Sequence, residues 1–159
     1  MPAVAIRSWL FAGLLSLAAT VSGHAANVDA SDPTVLLDLA KGFGSATLDK
    51  DEGGDPMIKG RINGIGYVIF FFGCTENKDC RSISFYAGWD MKNVTPEQIA
   101  DWNLNKRFAK AYLDKVGQPA ISMDVNLQGG VTTANFEDNL DWWQTLMAGF
   151  KSEVLDKAQ

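Results

Sequence analysis

The pattern of apolar and polar positions changes period several times along the chain, and each change marks an element. Ser31-Asp32-Pro33 is a helix start, with Asp32 as N-cap and Pro33 at the first helical position. Val35, Leu36 and Leu39 then share one face, and Gly42 and Gly44 end the helix around Phe43. Ser45 to Asp49 predicts a first strand, followed by an acidic, glycine-rich turn from Asp49 to Pro56. Met57 to Ile62 and Ile65 to Phe72 flank Asn63-Gly64, the strongest short-range hairpin signal a sequence offers. The second run, Tyr67 to Phe72, is apolar on both faces, which predicts a central strand with some cover on each side. Arg81 to Trp89 alternates again, with Ile83, Phe85, Ala87 and Trp89 in one row.

Thr95-Pro96-Glu97-Gln98 then opens a helix: a threonine N-cap, proline at the first position and glutamine closing a capping box. Helical spacing of Ile99, Trp102, Ala109, Tyr112, Leu113 and Val116 carries this helix to about Val116, with Phe108 at the edge of the apolar face. Asn103, Arg107, Lys110 and Asp114 fall on the other side as a polar stripe suited to i, i+4 pairing. On the same reckoning Asn105 projects into the apolar face, between Trp102 and Tyr112. A buried amide there needs partners, because an unsatisfied one costs about 1–3 kcal/mol.

Gly117-Gln118-Pro119 stops that helix. Ala120 to Leu127 is the cleanest strand, with Ile121, Met123, Val125 and Leu127 inward and Ser122, Asp124 and Asn126 outward. After Gly129-Gly130, Asn135 with Asp138 predicts the cap of a last helix. Its apolar face runs through Phe136, Leu140, Trp143, Met147 and Phe150, broadened by Trp142 and Leu146. The expected order is α-β-β-β-β-α-β-α. That is an α+β domain with a mainly antiparallel sheet of about five strands and helices packed on it.

The N-terminal 26 residues follow a different logic. Arg7 precedes an uncharged apolar run from Trp9 to Val21, and Ser22 to Ala26 is a small-residue segment suited to cleavage. This is the pattern of a bacterial secretory signal peptide, too short for a comfortable membrane span. The expected mature protein is residues 27–159, one domain, periplasmic or secreted, without an integral membrane segment. Its net charge moves from minus five to about minus six when Arg7 is removed. That acidic balance, without a basic cluster, argues against a nucleic-acid partner.

Export changes the reading of the candidate chemistry. Cys74 and Cys80 flank a polar turn, and in an oxidising compartment such a pair predicts a structural disulfide contributing roughly 2 kcal/mol. The one histidine, His24, lies in the segment expected to be removed. Without imidazole, Ser-His-Asp and Cys-His catalysis and histidine-based metal sites drop out, so no cofactor or metal is expected. Two alternatives keep some chemistry. Asp124 with Asp90 or Asp101 could form a hydrolase's carboxylate pair. Asn105 with the row Ser122, Asp124 and Asn126, or the alternating Asp49, Asp51 and Asp55, could hold a small ligand or a cation, although Gly53 stands where a calcium loop needs its next ligand.

Several segments together resemble the YbjN family of bacterial sensory-transduction regulators. They are Asp55-Pro56-Met57-Ile58, Phe71-Phe72-Gly73-Cys74, Ser82-Ile83-Ser84-Phe85, Trp102-Asn103, Arg107-Phe108 with Tyr112, and Met123-Asp124-Val125 before Gly129-Gly130-Val131. The resemblance implies an α+β fold similar to type III secretion chaperones, and proteins that bind other proteins and catalyse nothing. The expected function is therefore a non-enzymatic interaction or regulatory module, its partner another protein or a second copy of itself. Asn103, Asn105, Arg107 and Asp124 are the candidate contact residues.

Overall fold

The computed structural model describes residues 27–158; the expected signal peptide and its cleavage site lie outside the described residues. The elements are β1 (Asn27–Val28), α1 (Pro33–Lys41), β2 (Ser45–Lys50), β3 (Pro56–Ile62), β4 (Ile65–Phe72), β5 (Ser82–Gly88), α2 (Pro96–Asn105), β6 (Lys110–Leu113), β7 (Pro119–Asn126), β8 (Val131–Thr132) and α3 (Thr133–Phe150). A π-helical turn, Lys151–Leu155, continues α3. Strands β2 to β7 form one antiparallel sheet in the order β2-β3-β4-β5-β7-β6, and β1 pairs with β8 as a short ribbon. The architecture is α+β, with six strands in the main sheet where about five were expected.

The β3–β4 hairpin sets the register of the whole sheet. Asn63 (φ 49°) and Gly64 (φ 82°) supply the two left-handed residues that a two-residue turn requires, and Ile62 pairs with Ile65 beside them. From there the ladder Leu48–Ile58–Ile69–Phe85–Met123 crosses five strands on one face. That face receives Leu36 and Ala40 from α1, and Phe136, Leu140, Trp143, Met147 and Phe150 from α3. Phe85 meets the rings of Phe136 at 6.4 Å and Trp143 at 5.5 Å. Losing any one of these rings to alanine would cost roughly 3–5 kcal/mol. The opposite face, carrying Val68, Phe70, Phe72 and Tyr86, lies outside the hydrophobic core among the described residues, and Phe72 is 50 % exposed. Val68 and Phe70 are half-buried there, so the second face of β4 is covered only in part and by no helix of the core.

Other expectations also need correction. The helix expected to reach Val116 ends at Asn105; Lys106 is already extended, Phe108 has φ 71°, and Lys110–Leu113 is an edge strand on β7. Residues 110–113 carry apolar side chains that suit a helix face or a half-buried strand, and pairing with β7 decides between them. The cap of α3 is Thr132, whose hydroxyl accepts from the Asn135 N–H at 3.2 Å, rather than Asn135 itself. Trp142, expected in the core, is 42 % exposed. The Cys74–Cys80 bond forms as expected, with an S–S distance of 2.09 Å. No described helix is long and apolar enough to cross a membrane.

Tyr67 shows how closely the covered face is filled. Its ring lies across Gly60, where an added Cβ would come within 2.3 Å of it. Its hydroxyl is buried without a partner among the described residues, and burial pushes its pKa up to about 12. Since the unfolded chain ionises near pH 10, the stability tied to the neutral phenol is complete below pH 10 and is lost as pH rises through 12. Tyr67→Phe should leave stability at pH 8 unchanged or raised by up to about 1 kcal/mol, because it removes an unpaired buried hydroxyl. In urea unfolding between pH 9 and 11.5 the variant should lose less stability than the wild type.

Candidate functional site

Three of the four sequence-predicted contact residues lie on or just after α2. The helix begins as its sequence demands: Thr95 Oγ1 accepts from the Gln98 N–H at 3.3 Å, and the Thr95 N–H donates to Gln98 Oε1 at 2.9 Å. It ends without glycine or proline. Asn103 is exposed, as expected of a solvated stripe, and it also grips the neighbouring strand. Its Nδ2 donates to the Ala111 carbonyl at 3.0 Å, and its Oδ1 accepts the Ala111 N–H at 2.8 Å. The side-chain amide thus replaces the strand that β6 lacks on its outer edge, satisfying two backbone groups at once.

Asn105, expected in the apolar face, is exposed at the helix end, where Nδ2 donates to the Asp101 carbonyl at 2.8 Å. Ending the helix there rotates nothing after it into the predicted face: Tyr112 belongs to β6, not to a turn above Asn105. Arg107 is exposed, with its guanidinium carbon 5.0 Å from the centre of the Phe108 ring, and Phe108 meets the Trp142 ring at 4.9 Å, tilted by 52°. Lys106 spans to the C-terminal turn, its Nζ 2.6 Å from Glu153 Oε1.

These groups border two adjoining clefts of about 300 Å³ each, which share Trp102, Asn105 and Glu153. The first is polar and includes Gln98, Asp101 and Lys157; the second runs over Trp142, Leu146 and Gly149. Trp102 forms the wall between α2 and the core, edge-on to Phe150 at 5.1 Å, and its buried indole N–H has no partner among the described residues. Around the clefts the chain leaves Phe108 54 % and Leu104 85 % exposed. Asn105 and Arg107, expected as contact residues, lie at the clefts, whereas Phe108 and Trp142 are surface groups that apolar spacing places in a core. Their signal was apolar character alone, which a core would explain equally well.

Asp124 lies elsewhere, exposed on the helix-free face opposite Ser84. Asp90 accepts from Gln118 Nε2 at 2.7 Å, and Gln118 is six residues before Asp124, about 20 Å away at strand rise. Asp101 is on α2, at the polar cleft. Neither proposed carboxylate pair is brought together. Asp101 and Glu153 do share that cleft, but both are exposed and Glu153 is held by Lys106. Neither occupies the desolvated setting that tunes a carboxyl for acid–base chemistry.

Three carboxylates of the acidic turn are engaged within it or by neighbouring segments. Asp51 Oδ1 accepts the Asp55 N–H at 2.9 Å, and Asp55 Oδ1 accepts from Asn77 Nδ2 at 2.8 Å. Asp49 takes Lys59 at 2.6 Å, and this hydrogen bond holds its carboxyl below the ordinary range. Among the described residues no three potential ligands cluster as a metal site would require.

Known proteins supply the remaining context. Residues 32–156 match the profile of the YbjN family, "Putative bacterial sensory transduction regulator", and the chain belongs to that family. No curated protein matches it. Among solved structures it is similar to the Yersinia pestis type III secretion chaperone SycH, solved in complex with a stable fragment of YscM2. That distant similarity has 16% identity and a TM-score of 0.39, and covers 70% of this chain and 96% of the other.

The Asn103 clamp yields a sharp expectation. Asn103→Ala leaves both Ala111 backbone groups without a protein partner at a part-buried edge, and should cost about 1–3 kcal/mol in urea unfolding. Asn105→Ala removes only an exposed local bond and should change stability by under about 0.5 kcal/mol.

Proposed function

We propose that this chain, a member of the YbjN family, is an exported, single-domain, non-enzymatic module that binds another protein through the cleft beside Trp102. The reading rests on one observation: Phe108 and Trp142, 54 % and 42 % exposed, meet ring to ring at 4.9 Å in the open, and Trp142 lines an apolar cleft. Large aromatic side chains clustered at a surface mark an interaction site more often than scattered apolar residues do. Arg107 beside them makes no ion pair among the described residues. The fitting partner is thus a segment that offers an apolar side chain to the cleft and a carboxylate to Arg107. The π-helical turn and the Lys106–Glu153 ion pair hold the two walls in place.

Export to the periplasm or beyond is supported by the apolar run behind Arg7 and by the Cys74–Cys80 disulfide, a bond typical of oxidising compartments. In this role the module contributes binding and regulation, and no residue acts on a bond of the partner.

The test pairs location with binding. The protein recovered from the native cell's exported fraction should begin near residue 26 or 27 by N-terminal sequencing. Used as bait in that fraction, it should retain a specific protein that Phe108→Ser/Trp142→Ser releases, with unchanged circular dichroism. Identical capture by wild type and variant would remove the cleft from the account.

A further inference from the structure

Among the described residues, Gly149 of α3 is the one glycine inside a helix. It does not end that helix, because the π-helical turn Lys151–Leu155 continues beyond it, and its φ lies outside the left-handed region. A glycine in a helix interior is destabilising relative to alanine, since it orders a freer backbone and covers none of it. Elsewhere in this chain the fold itself demands glycine. A Cβ on Gly44 would collide with the Arg61 carbonyl, and one on Gly60 with the Tyr67 ring. At Gly149 the nearest group to such a Cβ is Glu153 Oε1 at 3.5 Å, an ordinary contact, and nothing else comes within 4 Å. The chain on its own would accept alanine here and gain helix stability.

The space left by the missing side chain belongs to the apolar cleft. Trp142, Leu146 and Gly149 fall at i, i+4 and i+7 along α3, so one helix face lines it. That face carries an indole ring at one end and no side chain at the other. The Lys106–Glu153 ion pair, at 2.6 Å, lies beside Gly149 and bounds the hollow there. Arg107 lines the same cleft and makes no ion pair among the described residues. An apolar seat with one unpaired cation beside it complements an apolar group that carries an anion nearby.

Given the cleft as the site of partner binding, we propose that Gly149 is its floor and decides what it admits. The occupant is a protein segment that seats one large apolar side chain over Gly149 and presents a carboxylate to Arg107. Helix stability at this position is given up for depth, and a side chain added at the floor shortens the seat. One methylene in an apolar pocket already discriminates about tenfold or more.

Two measurements with opposite expected signs test this. Gly149→Ala should raise the urea midpoint of unfolding. Binding is read by fluorescence titration with 8-anilinonaphthalene-1-sulfonate, whose fused rings and sulfonate stand for the apolar side chain and the carboxylate. Gly149→Leu should raise the probe's dissociation constant about tenfold or more, and Gly149→Ala by less. Arg107→Gln should weaken the probe severalfold, and Trp142→Ser, which strips a wall of the same cleft, should weaken it too. Circular dichroism of each variant checks folding. A lowered midpoint for Gly149→Ala overturns the proposal, because the glycine then serves the helix. So does a probe that binds Gly149→Leu, or Arg107→Gln, as tightly as wild type. If Trp142→Ser weakens the probe and Gly149→Leu does not, the cleft stands and its floor is not Gly149. If neither does, or the wild type binds no probe, the cleft falls as well.

Discussion

Phe85 lying beneath Phe136 and Trp143 is the contact on which the rest of the structure depends. It joins the central strand β5 to the long helix α3, and it fixes which face of the sheet is the inside. Once that face is chosen, strand alternation assigns every other side chain without further freedom. Ile58, Ile69 and Met123 must be buried beside Phe85, and Met57, Phe70, Ser84 and Asp124 must stand on the other side. A one-residue slip anywhere would exchange the two sets and expose the core, so the register is held by the same apolar area that stabilises the fold.

A sheet covered on one side leaves its edges as the weak points. At β6 a single asparagine supplies what a missing strand would have supplied, and this costs α2 its continuation. Asn103 can reach Ala111 only if the chain turns back after Asn105, which places Phe108 at a positive φ and carries Arg107 and Phe108 outward. The aromatic rim of the cleft is therefore a consequence of closing the edge. The stabilising clamp and the exposed aromatic surface are two results of one chain reversal.

Much of this was legible in the sequence for local reasons. The Asn63-Gly64 hairpin, the alternation of β5 and β7, the capping box at Thr95 and the cysteine pair are all set by neighbours within a few residues, and all of them are present. The candidate site was less legible. Asn105 and Arg107 do meet at one cleft, but Asp124 faces away from it, and the exposed Asn103 is tied to the backbone of β6. Apolar patterning places Trp142 and Phe108 on the apolar side of helices, because nothing in their own segments distinguishes a buried ring from an exposed one.

The sequence by itself determined the class of fold, the family and most strand boundaries, since alternation, turn residues and caps act over short distances. The tertiary structure alone decided where α2 ends, which edge of the sheet is closed, and which aromatic rings remain outside. Those outcomes depend on pairing between residues far apart in the chain. Lys110 to Leu113 can be a helix turn or a strand according to local propensity, and only β7 lying alongside, with Asn103 on the other side, makes it a strand.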